Sequence, residues 1–134
     1  MITKSLLRVG WAPAAVLLTH TSYIALFGHP PELDLVMHVL GGLAIAYAVH
    51  SATPLLRDVL GTLRLEAHCL LVLGLSFVIA VSWEYAEFAG DWINDVAFQA
   101  SRRDTIFDLL LGTSSALLFT ILIYVRGKLR QSSS

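Results

Sequence analysis

Apolar residues fill four stretches of the chain, roughly residues 9–27, 33–50, 68–89 and 105–125, and the polar residues inside them recur at helical spacing. A helix rises about 1.5 Å per residue, so about 20 apolar residues cross about 30 Å of hydrocarbon. The pattern predicts an all-α, polytopic membrane protein: a four-transmembrane-helix bundle forming one membrane domain over residues 1–134. Pro13 sits near the start of the first stretch, where a missing N–H is tolerable, and Gly28-His29-Pro30-Pro31 forces a tight hairpin turn after it. Pro54 closes the second stretch and Gly90 follows the third. Between Pro54 and Glu66 the leucines and arginines suit either a segment lying in the interface or a plain loop. Residues 90–103 carry Trp92, Ile93, Val96, Ala97 and Phe98 among polar residues, which suggests a short surface helix with its indole at headgroup depth. The Gln131–Ser134 tail is expected to be mobile.

Composition narrows the class further. With 134 residues, 56% of them hydrophobic and 14% charged, and a mean hydropathy of +0.70, the chain is too apolar for a soluble domain of this length. The single cysteine, Cys69, excludes an intrachain disulfide and a cysteine zinc knot. Lys4 and Arg8 ahead of an apolar run imitate a signal peptide, but the run is long and no small-x-small cleavage site follows, so we read an uncleaved helix.

The formal net charge of −1 hides a strong polarity along the bundle axis. Lys4, Arg8, Arg57, Arg64, Arg126, Lys128 and Arg130 all fall on one side of the four spans, and only Arg102 and Arg103 on the other. Positive charge near span ends is retained in the cytoplasm, which predicts a bacterial inner-membrane protein with both termini cytoplasmic. Asp58 and Glu66 are the only acids on that side, giving +5 inside (seven minus two) and −6 outside (two minus eight).

Ionisable side chains inside the apolar stretches carry the functional signal, because a charge near mid-membrane costs about 2.5–3.5 kcal/mol even on the gentler insertion scales. Asp34 and His38 are four residues apart, as are Asp104 and Asp108, while Glu84, Glu87 and Asp91 keep spacings of three and four. Each set therefore lies on one helical stripe. The alternating direction of the spans brings all three sets into the outer half of the bilayer. So many carboxylates cannot all be ionised together in a low dielectric without compensation. Shared protons, Arg102 or Arg103 folding back, or a bound divalent cation would supply it. Carboxylate oxygens favour magnesium, calcium or manganese, and an imidazole admits zinc or iron, which makes Glu84, Glu87, Asp108 and His38 the candidate metal ligands. An interhelical network of hydrogen bonds and ion pairs is the alternative, and no Glu-x-x-His motif supports a di-iron centre.

His20 and His38 share a depth at which either could ligate a haem or a chlorophyll-type pigment. His50 and His68 lie at cytoplasmic ends, where interfacial water suffices to explain them. Spans two and four also resemble each other: Asp34, Leu40, Gly42 and Ala46 match Asp104, Leu110, Gly112 and Ala116 at one constant offset, with His38 in the place of Asp108. This suggests two repeated helical hairpins, or chance likeness between apolar helices. Ser82 lacks a nucleophile elbow, and no basic stripe supports nucleic-acid binding.

The set Asp34-x3-His38, Trp83-Glu84-x2-Glu87 and Arg103-Asp104-Thr105-x2-Asp108 with Gly112 resembles the small VanZ-like and YjdF-like bacterial membrane proteins over about residues 34–116. Glu87 stands where VanZ relatives often carry Gln and Gly112 lacks their preceding Asn, so the YjdF-like branch fits better. The resemblance implies a polytopic bacterial inner-membrane protein, with glycopeptide resistance among some VanZ relatives, and the spacing argument gathers Asp34, His38, Glu84, Glu87, Asp91, Arg103, Asp104 and Asp108 as one polar cluster. Two functional classes follow. One is a binding or envelope-homeostasis protein whose acidic site holds a cation, protons or a polar lipid headgroup. The other is an accessory subunit of a larger photosynthetic or respiratory membrane complex, ligating a pigment or haem through histidine. A lipid-modifying enzyme at the outer leaflet is third, and membrane lipids are partners in each case.

Overall fold

The computed structural model describes residues 2–28, 30–94 and 101–133, and among them every regular element is helical. Helix α1 spans Ile2–Phe27 and α2 spans Pro31–Ala52; a 3-10 turn over Thr53–Leu56 leads into the single turn α3, Arg57–Leu60; α4 spans Leu65–Asn94 and α5 spans Arg102–Ser132. The four long helices are each long and apolar enough to cross a membrane. His29 and residues 95–100, the centre of the expected surface helix, lie outside the described residues.

Local chemistry sets the helix ends. Gly28 adopts φ +83° just past α1 and its N–H donates to the Ile24 carbonyl at 3.0 Å, a left-handed cap that a Cβ would strain. Pro31 then occupies the first turn of α2, where a missing N–H costs nothing. Ser101 caps α5 by accepting from the Asp104 N–H at 3.2 Å. Two expectations are corrected. Gly90 does not follow the third span but lies inside α4, which continues to Asn94, because a glycine flanked by strong helix formers weakens a helix without ending it. Helix α5 likewise runs on past the fourth apolar stretch to Ser132, since Gly127 alone weakens a helix without ending it. The Pro54–Glu66 segment is neither a long interfacial helix nor a bare loop: a 3-10 turn and one α turn are followed by Gly61 at φ +67°.

Helices α2 and α5 form the central pair; α1 packs on α2, and α4 packs on both α5 and α2. Ala46, Val72 and Ala116 make the small buried core, flanked by Val49, Phe119 and Ile123. The sequence-matched positions meet across the central pair. Ala46 and Ala116 pack in one cluster, and a Cβ on Gly42 would collide with the Gly112 carbonyl oxygen and the Ser115 Oγ. Without a hydrophobic drive between helices in lipid, such close backbone approach is what holds the pair. Gly42→Ala should therefore destabilise the bundle by about 1–3 kcal/mol through overpacking. Gly41→Ala, where a Cβ meets nothing within 4 Å, should be neutral or mildly stabilising, and thermal melts of the two variants in detergent make the comparison.

Large apolar side chains such as Leu18, Leu70, Phe77 and Leu118 point outward, as a lipid-facing surface requires. Arg8 of α1 and Arg126 and Arg130 of α5 line one cavity, so the first and last helices begin and end at the same pole of the bundle. Asp34 and His38 in the first turns of α2 and Asp108 in the second turn of α5 sit near the opposite pole.

Candidate functional site

Helices α2 and α5 run parallel with α4 antiparallel to both, which converts three separate sequence patterns into one site. His38 is its hub. The imidazole Nε2 lies 3.5 Å from Asp34 Oδ1 on the preceding turn and 3.7 Å from Asp108 Oδ1 on α5, while Nδ1 lies 3.9 Å from Glu84 Oε1 on α4. Two sets of ligand-bearing atoms converge around it: Asp34, His38 and Asp108, and His38, Glu84 and Glu87, each with its atoms within 4.8 Å of one another. Glu84 and Asp108 are buried, at 6% and 4% exposure, and the other three are half-buried.

Distances decide what these contacts are. A charged N–H···O bond closes to about 2.7–2.9 Å, so 3.7–3.9 Å is too long for a direct one. Asp108 Oδ1 is buried and accepts no hydrogen bond. Burying a carboxylate oxygen with no donor costs at least about 1–3 kcal/mol, which makes the geometry expensive unless something else enters it. Four ligands at about 2.0–2.1 Å around a tetrahedral metal stand roughly 3.3–3.4 Å apart, close to the 3.5 and 3.7 Å from His38 Nε2 to Asp34 Oδ1 and Asp108 Oδ1. The residues therefore fit a small divalent ion within a few tenths of an ångström of side-chain motion.

Glu87 is held differently, since Trp83 Nε1 donates to its Oε1 at 2.7 Å. Trp83 thus serves as a polar partner of the cluster. Arg103 does not reach the cluster: its guanidinium lies 5.4 Å from the Phe107 ring centroid and the side chain is exposed. Arginine compensation is therefore absent from the cluster here, because Arg102 and Arg103 open α5 on its exposed side. Asp104 and Asp91 are half-buried on the flanking turns, outside both ligand sets. Ser82 donates to the Val78 carbonyl of its own helix at 2.8 Å.

His20 and His38 line one cleft of about 250 Å³ between α1, α2 and α4, together with Pro13, Met37, Trp83 and Glu87. Apolar residues make most of its walls, and Asp34, His38 and Glu87 of the acidic site line it together with His20.

The histidines at the other pole depart from the expectation of simple solvation. His50 Nδ1 and His68 Nε2 lie 2.8 Å apart, bonded across the α2–α4 contact. The signal was present in topology: the last turn of one span and the first turn of the next must share a membrane face, and a short connection keeps them adjacent. Beside them, Glu66 and Lys128 form an exposed ion pair at 2.8 Å that ties the start of α4 to the end of α5.

No curated protein and no solved structure matches the chain. One family model does, over residues 7–128, which takes in all four long helices and every residue of the His38 cluster. The chain belongs to that family, described as "Predicted membrane protein (DUF2238)".

Proposed function

We propose that this protein binds a divalent cation of the zinc or iron class at Asp34, His38 and Asp108 within the outer half of the bacterial inner membrane, in a role in envelope homeostasis. The observation that carries the reading is Asp108: a buried carboxylate oxygen that accepts no hydrogen bond, facing an imidazole nitrogen at metal-ligand rather than hydrogen-bond spacing. Charge supports it as well. Four carboxylates gathered about one imidazole leave a formal excess of at least three negative charges when all are ionised, and a bound dication offsets most of it. The VanZ-like and YjdF-like resemblance, and cytoplasmic termini inferred from the basic pole, belong to the same reading.

The roles divide by geometry. Nε2 of His38 would face the metal with Asp34 and Asp108, and Nδ1 faces Glu84 at 3.9 Å, where the carboxylate can steer the ring as carboxylates commonly do behind a metal-bound histidine. Glu87 with Trp83 walls the site on the cleft side. A polar lipid headgroup entering along the cleft would complete the coordination.

Purified protein should retain close to one equivalent of metal by elemental analysis. Added zinc or manganese at about 100 times Kd should stabilise it by about 2.7 kcal/mol. Glu84→Gln should weaken binding by about 10–100-fold without abolishing it, as loss of an orienting carboxylate does. Metal-free wild type that melts identically with and without added zinc, iron, manganese, magnesium or calcium would end this reading in favour of a hydrogen-bonded network.

A second reading rests on His20 and His38 facing one cleft, which suits an accessory subunit holding a pigment or haem edge-on. A visible porphyrin-type band in gently purified protein would support it, and a colourless, metal-loaded protein would favour the first.

A further inference from the structure

The pole opposite the acidic site carries a second constellation that the cation-binding reading does not use. A cavity of about 710 Å³, within the range of ligand pockets, opens there between the ends of α1, α2, α4 and α5. Arg8, Arg126 and Arg130 line it together with His50, His68 and Tyr47, and none of its lining residues is acidic. Glu66, next in sequence to the lining residue Leu65, is engaged by Lys128 at 2.8 Å. Arg8, Arg126 and Arg130 are exposed, and three like charges lining one cavity favour an anion there.

The cavity is built rather than assembled by chance from flexible arginines. Trp11 Nε1 donates to Tyr47 Oη at 3.0 Å, with the two rings edge-to-face at 5.6 Å, pinning α1 to α2 and placing Arg8, three residues before Trp11, on the cavity side. The histidine pair adds a fixed donor. In a neutral pair one imidazole donates to the other across the 2.8 Å contact, and whichever does so, one ring N–H remains on the outer edge of the pair. Tyr47 and His50 also stack edge-on against Phe119, which holds both rings in place.

We infer that this basic pocket binds a phosphate-bearing anion, held by Arg8, Arg126 and Arg130 with the outward N–H of the His50–His68 pair as a fourth donor. Guanidiniums present paired donors matched to phosphate oxygens, and three of them supply more donors than a carboxylate can accept. Two sources offer that chemistry at this depth: the headgroup of an anionic phospholipid with its chains against the apolar walls at Leu122 and Ile123, or free phosphate from the aqueous side.

The test uses the full chain in detergent, with dioctanoyl phosphatidic acid, dioctanoyl glycerol and inorganic phosphate as probes, read by thermal shift and native mass spectrometry. Phosphatidic acid should raise the melting temperature and survive as a bound adduct, while dioctanoyl glycerol, identical but for the phosphate, should do neither. Arg126→Gln/Arg130→Gln should weaken that binding by about thirtyfold, at the contribution usual for two arginines near a membrane surface. Arg126→Lys/Arg130→Lys should lose less, which separates a charge effect from misfolding. Stabilisation by inorganic phosphate as strong as by phosphatidic acid assigns the free anion, and stabilisation by phosphatidic acid alone assigns the lipid. The inference is overturned if neither phosphate probe outperforms dioctanoyl glycerol on wild type, or if the glutamine variant binds phosphatidic acid as wild type does. Because these readouts need no metal, they fail or succeed independently of the acidic site.

Discussion

Asp108→Asn is expected to abolish cation binding and, at the same time, to leave the cation-free protein as stable as wild type or more so. The two effects have one origin. In wild type the Asp108 carboxylate is buried at 4% exposure with Oδ1 accepting no hydrogen bond, so without a cation its charge beside Asp34 is offset only in part, by His38 at 3.7 Å. Asparagine keeps the shape, removes the charge, and brings an amide N–H₂ that can donate to a neighbouring carboxylate, which relieves about 1–3 kcal/mol. It also replaces an anionic ligand by a weak neutral one, and the metal set loses its α5 member. Melting curves should therefore cross: with chelator present the variant melts at or above wild type, and with saturating zinc wild type gains about 2.7 kcal/mol at 100 times Kd while the variant gains nothing. A variant that is destabilised equally with and without metal would show that Asp108 is an ordinary packing and hydrogen-bonding carboxyl, and the cation reading would fall with it.

Much of this site was legible before any coordinates. Asp34 with His38 and Glu84 with Glu87 sit at helical spacing inside apolar runs, so their stripes and their common depth follow from the period of a helix and the alternation of spans. What spacing cannot supply is rotation between helices. Asp91 and Asp104 share stripes with Glu84 and Asp108, yet they stand outside the converging sets, because each stripe reaches the bundle axis only where α2 and α5 approach closest, near Gly42 and Gly112. Arg103 misled for a related reason: as the second residue of α5 it is exposed, and its guanidinium lies over the Phe107 ring one turn on, 5.4 Å from the centroid. The helix ends were misplaced at Gly90 and Gln131 because the apolar run marks the hydrocarbon, and a helix has no reason to stop at the interface when its next residues still favour it. The His50–His68 pair was hidden by reading each residue alone, whereas the hairpin topology already placed both on one face.

His38→Ala should be the most damaging single change in the chain, because His38 is the one side chain that belongs to both ligand sets. It removes the only nitrogen among the carboxylates of the two sets, and breaking one side of a buried charged pair usually costs about 3–5 kcal/mol. Removing the imidazole also opens a cavity beside Met37, which adds to the loss. The magnitude alone would not distinguish a charge-compensating hub from a well-packed ring, so the decisive quantity is its coupling to Asp108, measured as a double-mutant cycle in chelator. If His38 compensates Asp108 across the 3.7 Å contact, its removal should cost much less once Asp108 is already Asn, giving an interaction energy of about 1–3 kcal/mol. If His38 only fills space, the two changes should add to within about 0.5 kcal/mol, as independent sites do. His38→Gln supplies the control for packing, since it keeps a polar side chain of comparable length and lacks the imidazole. It should recover part of the stability and none of the metal binding. Additive energies together with metal retained by the Gln variant would dissolve the shared site into separate helix contacts.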